Sequence, residues 1–242
     1  MIVLFTDFGL SGPYIGQVKA VLARDAPGVP VIDLFADAPA GNPKASAYLL
    51  AAYAVWFPPG SVILAVVDPG VGGARGAVAA ECAGRWYVGP ENGLFELVRR
   101  RAGEPRSWAI EPPARPPSAS FHGRDIFAPA AAALARGEPP KGPPLPQDGG
   151  RRPDWPDDLP EIVYLDHFGN AMTGLRAGLL PAAARLSAGG RVLPRARTFS
   201  DVPPGAAFWY ENANGLAEIA VNRGGAAAAL GLEIGSPVAV LS

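Results

Sequence analysis

Val66-Val67-Asp68-Pro69-Gly70-Val71-Gly72-Gly73-Ala74-Arg75 is the stretch on which the reading of this chain turns. The run leading into it, residues 62–67, is continuously apolar, the pattern of a strand buried on both faces. That strand ends on a carboxylate. Pro69 cannot donate to a ladder, so pairing stops there. Gly70, Gly72 and Gly73 let the backbone turn where a side chain would clash. Arg75 follows closely enough to fold back on Asp68. An acid and a guanidinium at the carboxyl end of a buried strand stand where open α/β sheets bind ligands. The same two residues also suit a structural ion pair bracing a tight turn. From these residues alone both readings stand.

The neighbouring segments share this rhythm. Residues 2–5 form a short apolar strand ending at Thr6-Asp7-Phe8-Gly9. Tyr14, Val18, Val21 and Leu22 then recur at helical spacing. Residues 29–34 read as a second strand carrying Asp33, residues 39–43 as a loop, and residues 45–57 as a helix stopped by Pro58-Pro59-Gly60. Residues 78–81 and 85–88 read as a strand pair, and Gly89-Pro90-Glu91-Asn92-Gly93 as another turn at a strand end. Residues 94–101 predict a helix, 108–110 a strand and 126–135 a helix. Strands alternating with helices predict an α/β fold with a mostly parallel sheet flanked by helices.

The character changes after this. Eight prolines fall between residues 139 and 160, among Gly and Asp, and read as a semi-rigid linker. Beyond them, residues 161–165, 191–193, 206–210, 217–221 and 237–241 are short strand patterns between Gly, Pro and Asn turns. They predict a small antiparallel β-barrel. The expected division is an α/β domain over 1–140, a Pro-rich linker over 141–160 and a barrel domain over 161–242. A chain of 242 residues has room for two domains of about 100–150 residues each.

Composition narrows the function classes. A formal charge of −1 gives no basic footprint for nucleic acid. The single cysteine, Cys82, excludes an intrachain disulfide framework and a multi-cysteine zinc site. No apolar run approaches the ~18 residues of a membrane span, and residues 1–5 lack the basic start of a signal peptide. The expectation is a cytoplasmic protein. P-loop, dinucleotide-fingerprint and nucleophile-elbow motifs are absent. Asp7, Asp68, His122 and Asp125 lack any metal-ligand spacing, so no metal is expected.

Several turns carry chemistry-bearing residues. Asp7 follows the first strand, where an ionised carboxylate can accept from both hydroxyls of a ribose; an Asx-turn closing the loop is the structural alternative. His122 lies in Phe121-His122-Gly123-Arg124-Asp125, a polar turn before a helix. Phe168-Gly169-Asn170 offers an aromatic face and an amide suited to a purine, or simply a β-turn with a packed Phe.

Six motifs occur in order: Thr6-Asp7-Phe8-Gly9, Asp68-Pro69-Gly70-Val71-Gly72, Pro90-Glu91-Asn92-Gly93-Leu94, residues 121–129 (FHGRDIFAP), Asp166-His167-Phe168-Gly169-Asn170 and Asn212-Ala213-Asn214-Gly215-Leu216. The series resembles the S-adenosyl-L-methionine (SAM) hydroxide adenosyltransferases, adenosine-forming SAM hydrolases related to SAM-dependent fluorinases and chlorinases. The resemblance covers nearly the whole chain. It implies an N-terminal α/β domain, a C-terminal β-barrel and a homotrimer, with SAM lying between the N-domain of one subunit and the C-domain of the next. It implies hydrolysis of SAM to adenosine and L-methionine, with SAM as substrate and no cofactor. It assigns Asp68, Arg75 and His122 to the attacking water, Asp7 to the ribose with Phe8 beside it, and Asp166 to the methionine amino group. Phe168 and Asn170 fall on the adenine side. Asn212, Ala213 and Asn214 fall near the methionine end, and the backbone of Arg223 at the adenine edge.

The halogenase branch carries Tyr-Pro-Ala-Thr where this chain has Asp68-Pro69-Gly70-Val71, and Ser in place of Gly123. An anionic Asp68 repels a halide. A sensor that binds SAM or adenosine without turnover is the alternative of another class. The chain departs from the family pattern at Glu91, usually Asp, and in Asp33-Leu34-Phe35-Ala36-Asp37, which lacks a Thr-His often found there.

Overall fold

The computed structural model describes residues 1–146 and 150–241. Part of the expected linker, residues 147–149, and the terminal residue 242 of the expected C-terminal domain lie outside the described residues. Two compact units divide the chain at Pro153/Asp154.

In the N-terminal unit, β1 (Ile2–Thr6), β2 (Val31–Phe35), β3 (Val62–Val66), β4 (Ala77–Cys82), β5 (Arg85–Pro90) and β6 (Arg106–Ala109) form one sheet in the order β2-β1-β3-β5-β4-β6. The pairs β1–β2, β1–β3 and β3–β5 are parallel, whereas β4 pairs antiparallel with both neighbours. The sheet is therefore mixed and mostly parallel. Central strands β1 and β3 are buried along their whole length, which is why they read as unbroken apolar runs. Helices α1 (Tyr14–Asp25), α2 (Pro43–Tyr53), α3 (Glu96–Arg101) and α4 (Ala128–Ala135) accompany the sheet. Asn42 caps α2 by accepting the Ala45 N–H at 3.0 Å, with Pro43 in its first turn.

Chain order leaves β1 toward β2 on one side and returns through β3 on the other. The carboxyl ends of β1 and β3 therefore flank a topological switch point, the place where such sheets open a crevice. The register pairs Thr6 with Val66, so Asp7 and Asp68 leave the sheet side by side.

Residues 141–146 and 150–153 belong to the N-terminal unit. The Ala109 N–H reaches the Pro143 carbonyl at 2.9 Å, the Leu145 N–H reaches that of Ser107 at 2.8 Å, and the Arg152 N–H reaches Glu96 at 3.1 Å.

In the C-terminal unit, β7 (Leu159–Leu165), β8 (Ala171–Arg176), β11 (Ala207–Glu211) and β12 (Leu216–Val221) form one antiparallel sheet. Strands β9 (Arg185–Ala188), β10 (Arg191–Leu193) and β13 (Ala239–Leu241) form another. A short helix, α5 (Ala226–Leu230), follows β12. The core gathers around Trp209, whose indole N–H donates to the Ala184 carbonyl at 3.1 Å. Two isolated bridges, Glu161 with Pro237 and Arg195 with Trp209, run between residues of the two sheets or beside them. Where a closed barrel was expected, the arrangement is described as two antiparallel sheets. Among the described residues, no helix is long and apolar enough to cross a membrane.

Close backbone approach fixes the centre of the parallel sheet. Gly89 of β5 lies against β3, and an added Cβ would overlap the Ala65 carbonyl oxygen. Gly89→Ala is expected to cost about 3 kcal/mol through forced separation of the strands, read by chemical denaturation. A variant as stable as the parent would show that β3 and β5 do not meet this way.

Candidate active site

Asp68 leaves β3 and meets Arg75 across the glycine turn. The Arg75 Nε lies 3.0 Å from both carboxylate oxygens, and Nη2 binds Oδ2 as well. Both side chains are largely removed from solvent, at 5% exposure for Asp68 and 12% for Arg75. Here the ion pair is tight and geometrically fixed, unlike exposed pairs held by two mobile chains. The guanidinium also packs over the Phe127 ring at 5.2 Å.

The same Nη2 lies 2.9 Å from His122 Nδ1. A guanidinium carries donors only, so Nδ1 is the acceptor and a neutral His122 holds its proton on Nε2. Burial, followed by the positive charge of Arg75, holds the His122 pKa below its ordinary 6.5 against the opposing pull of Asp68 and Asp125. Arg75 thus joins two segments far apart in sequence, one after β3 and one before α4.

Local backbone makes this junction. Gly72 adopts φ +78°, and an added Cβ would overlap the Ala119 carbonyl oxygen, so the turn after β3 presses against the segment carrying His122. His122 itself precedes a wide helical turn, Gly123–Phe127, in which the Ala128 N–H reaches back to the Gly123 carbonyl. Such π-type turns recur at functional sites. Gly123 is required by contact: a Cβ there would sit 2.8 Å from Phe8 Cζ. A serine at this position would displace the Phe8 ring. Phe8, Tyr14 and Phe121 pack edge-on around it, with centroids 5.4–6.3 Å apart.

Asp7 stands beside this set. Its Oδ2 accepts the Gly41 N–H at 2.8 Å. Burial raises its pKa against that hydrogen bond, and the Asp68 charge adds to the rise. The N-terminal unit therefore brings Asp7, Phe8, Asp68, Arg75 and His122 into one neighbourhood. An apolar cavity of about 330 Å³ in the same unit, lined by Pro112, Pro129, Leu134 and Lys141 among others, contains none of these five. Among the described residues, no group of three or more His, Cys, Asp or Glu side chains is placed to hold a metal ion.

The C-terminal unit gathers a second set. Asp166, Phe168, Asn170 and Arg223 line one groove of about 670 Å³ together with Phe199 and Tyr210. Asp166 serves its own turn: Oδ1 accepts the N–H groups of Phe168 at 2.9 Å and Asn170 at 2.8 Å, and Oδ2 accepts the Asn170 side-chain amide at 2.9 Å. A carboxylate has about four acceptor sites, so room for one more donor remains on Oδ2. Phe168 is 77% exposed, an unusual placement for a large apolar ring. Arg223 holds the left-handed conformation, φ 58°, which is strained for a residue with a side chain.

Asn212 is buried and lines a separate hollow of about 600 Å³ with Arg195, Arg197 and Glu211. Ala213 is exposed, and the Asn214 N–H closes the turn onto Asn212 Oδ1 at 2.9 Å. Sequence reading did not select Tyr14, Gly41, Phe127, Phe199, Tyr210 or Glu218 for these sites. Gly41 and Phe127 have no local signal. Glu218 had one, a lone acid inside the apolar run of β12.

The family model described as "SAM hydroxide adenosyltransferase N-terminal domain" matches residues 2–142, and that of the C-terminal domain of the same family matches residues 160–239. A protein of Thermus thermophilus named (R)-S-adenosyl-L-methionine hydrolase is 47% identical over 98% of this chain and 97% of its own length. A fluorinase of Nocardia brasiliensis is 26% identical over 99% of this chain and 96% of its own. The crystal structure of an uncharacterized conserved protein from Thermotoga maritima superposes with a TM-score of 0.89 at 31% identity, covering all of both chains. With both domain models matched in order along the chain, this protein belongs to the SAM hydroxide adenosyltransferase family.

Proposed function

We propose that the protein hydrolyses S-adenosyl-L-methionine to adenosine and L-methionine, with Asp68, Arg75 and His122 acting on the attacking water. The observation that carries this reading is the Asp68–Arg75–His122 junction at the switch point of the sheet. Four relatives named (R)-S-adenosyl-L-methionine hydrolase, among them the Thermus protein, support it.

The chemistry suits these groups. The sulfonium of SAM is already an activated leaving group, so no acid has to protonate it. A lone pair of the water oxygen forms the bond to C5′. The C5′–S bond breaks and its electron pair stays on sulfur, giving the neutral thioether of methionine. The protein has to hold water on the side opposite sulfur and take a proton from it. His122, with its proton on Nε2, enters as a hydrogen-bond donor to the water oxygen. Asp68 takes the proton as the new C–O bond forms and passes it to solvent. Arg75 holds both partners in place.

Charge selects the nucleophile. Two carboxylates, Asp7 and Asp68, face one guanidinium, with His122 neutral. The balance is negative, which favours a sulfonium and a neutral water and disfavours a halide. The Gly123–Phe8 contact is in keeping with this, since the serine of the halogenase branch would have to move the Phe8 ring aside.

Asp7 then takes the ribose hydroxyls, with Phe8 beside it. Phe168 and Asn170 take the adenine with the Arg223 backbone, Asp166 the methionine ammonium, and Asn212, Ala213 and Asn214 the methionine end. We extend the reading to a cytoplasmic homotrimer in which the C-terminal groove of one subunit and the Asp68 set of the next serve one SAM. No cofactor is required, because the substrate brings its own activation. The bridges Glu161–Pro237 and Arg195–Trp209 support closure of the two C-terminal sheets into a barrel.

Purified protein incubated with SAM is expected to release adenosine and methionine, read by chromatography, with the same yield when chloride or fluoride is added. A halogenated nucleoside would assign the protein to the halogenase branch; SAM or adenosine bound without turnover would make it a sensor. Asp68→Ala, Arg75→Ala and His122→Ala should each lower kcat by about 100-fold or more while SAM affinity changes little. Equal losses in both would remove the set from the water. The acid limb of activity follows His122. Its pKa lies below 6.5, so the neutral form persists into mildly acidic solution. As pH falls through the lowered value, a proton on Nδ1 faces the Arg75 N–H, and the junction breaks. The midpoint of the acid limb is expected below pH 6.5; a midpoint above 6.5 would contradict this.

A further inference from the structure

Behind the wall of the C-terminal groove lies a carboxylate that the mechanism does not use. Glu218 sits in the middle of β12 and is 2% exposed. The antiparallel register sets it opposite Tyr210 of β11. Its Oε1 accepts the Tyr210 hydroxyl at 2.7 Å, and its Oε2 accepts the Asn212 side-chain N–H at 2.8 Å. On the other end of the same carboxamide, Asn212 Oδ1 accepts the N–H groups of Asn214 at 2.9 Å and Leu216 at 3.0 Å. With its oxygen taken by two backbone donors and its nitrogen facing a carboxylate, the Asn212 amide has one orientation.

Burying an acid in a strand core is costly unless its oxygens are matched by donors. Here one donor, Tyr210, comes from β11 and the other, Asn212, from the turn that follows it. Tyr210 lines the groove with Asp166, Phe168 and Asn170, and Asn212 opens the Asn212-Ala213-Asn214 turn. Burial raises the Glu218 pKa, the two hydrogen bonds oppose the rise, and the negative charge of Asp166 adds to it. Glu218 and the groove acid therefore sense one another electrostatically.

We propose that Glu218 is a positioning residue for SAM, which fixes the Tyr210 hydroxyl in the groove wall and the Asn212 carboxamide in the adjoining turn. The proposal rests on the SAM reading above. Glu218 touches no ligand itself and acts through these two side chains.

The test is steady-state kinetics on SAM with the full-length protein. Glu218→Ala removes both hydrogen bonds. Glu218→Gln keeps an acceptor for Asn212 and turns the second bond around, since the Tyr210 hydroxyl can also accept. The alanine variant is expected to raise KM about tenfold and the glutamine variant about threefold, with kcat within about twofold of the parent in both. A merely structural role gives the opposite split: loss of folded protein lowers apparent kcat and leaves KM unchanged. A KM unchanged in Glu218→Ala, or a loss confined to kcat, overturns the proposal. Where the alanine variant does not fold, an unchanged KM in Glu218→Gln overturns it. If the parent protein forms no adenosine, the SAM reading falls and takes this role with it; normal parent turnover with unaltered variant KM values removes only the role of Glu218.

Discussion

One guanidinium, that of Arg75, organises the N-terminal site. It is held by Asp68 at the end of a central strand, rests on the Phe127 ring and donates to His122. These three partners lie in the turn after β3 (Asp68), at the last residue of the wide helical turn before α4 (Phe127) and at the residue that precedes that turn (His122). Without Arg75, a largely buried Asp68 would be left uncompensated, at a cost of several kcal/mol on the order of 3–5. The glycine turn, the Gly72–Ala119 approach and the Gly123–Phe8 contact all serve to bring this one group to its partners.

That arrangement also fixes proton positions. Because a guanidinium has no lone pair, the imidazole nitrogen facing it must be the unprotonated one. The ring is thereby presented as a donor, and the carboxylate is left as the acceptor. The same logic governs the C-terminal unit, where Glu218 orients Asn212 by facing its nitrogen. In both places a charged group decides how a neighbouring polar side chain is oriented.

Much of the fold was legible because buried parallel strands announce themselves. β1 and β3 are unbroken apolar runs, and the Asp68 turn carries its own chemistry in Pro69 and three glycines. Other elements were hidden for physical reasons. β8 reads Ala-Met-Thr-Gly-Leu-Arg, with Thr173 its one β-branched residue and a glycine in its interior, and becomes a strand by fitting closely to β7, where Gly174 meets the Leu159 side chain. β9 is four residues long and gains its identity from pairing with β10 and β13. The site shows the same division. Asp68, Arg75 and His122 could be selected from turn chemistry and from resemblance. Phe127 beneath Arg75 and Gly41 on Asp7 depend on contacts between distant segments, which no local pattern encodes. Asp166 illustrates the converse: a residue selected for a ligand also closes its own turn, and three of its contacts are spent within that loop.

The most direct test of the central claim follows the oxygen atom. SAM is turned over in water enriched in heavy oxygen, and both products are examined by mass spectrometry. Attack of water on C5′ places the heavy isotope in the 5′-hydroxyl of adenosine and none in methionine. Adenosine without the label, or label in the methionine product, would contradict the assignment of Asp68, Arg75 and His122 to a water at C5′.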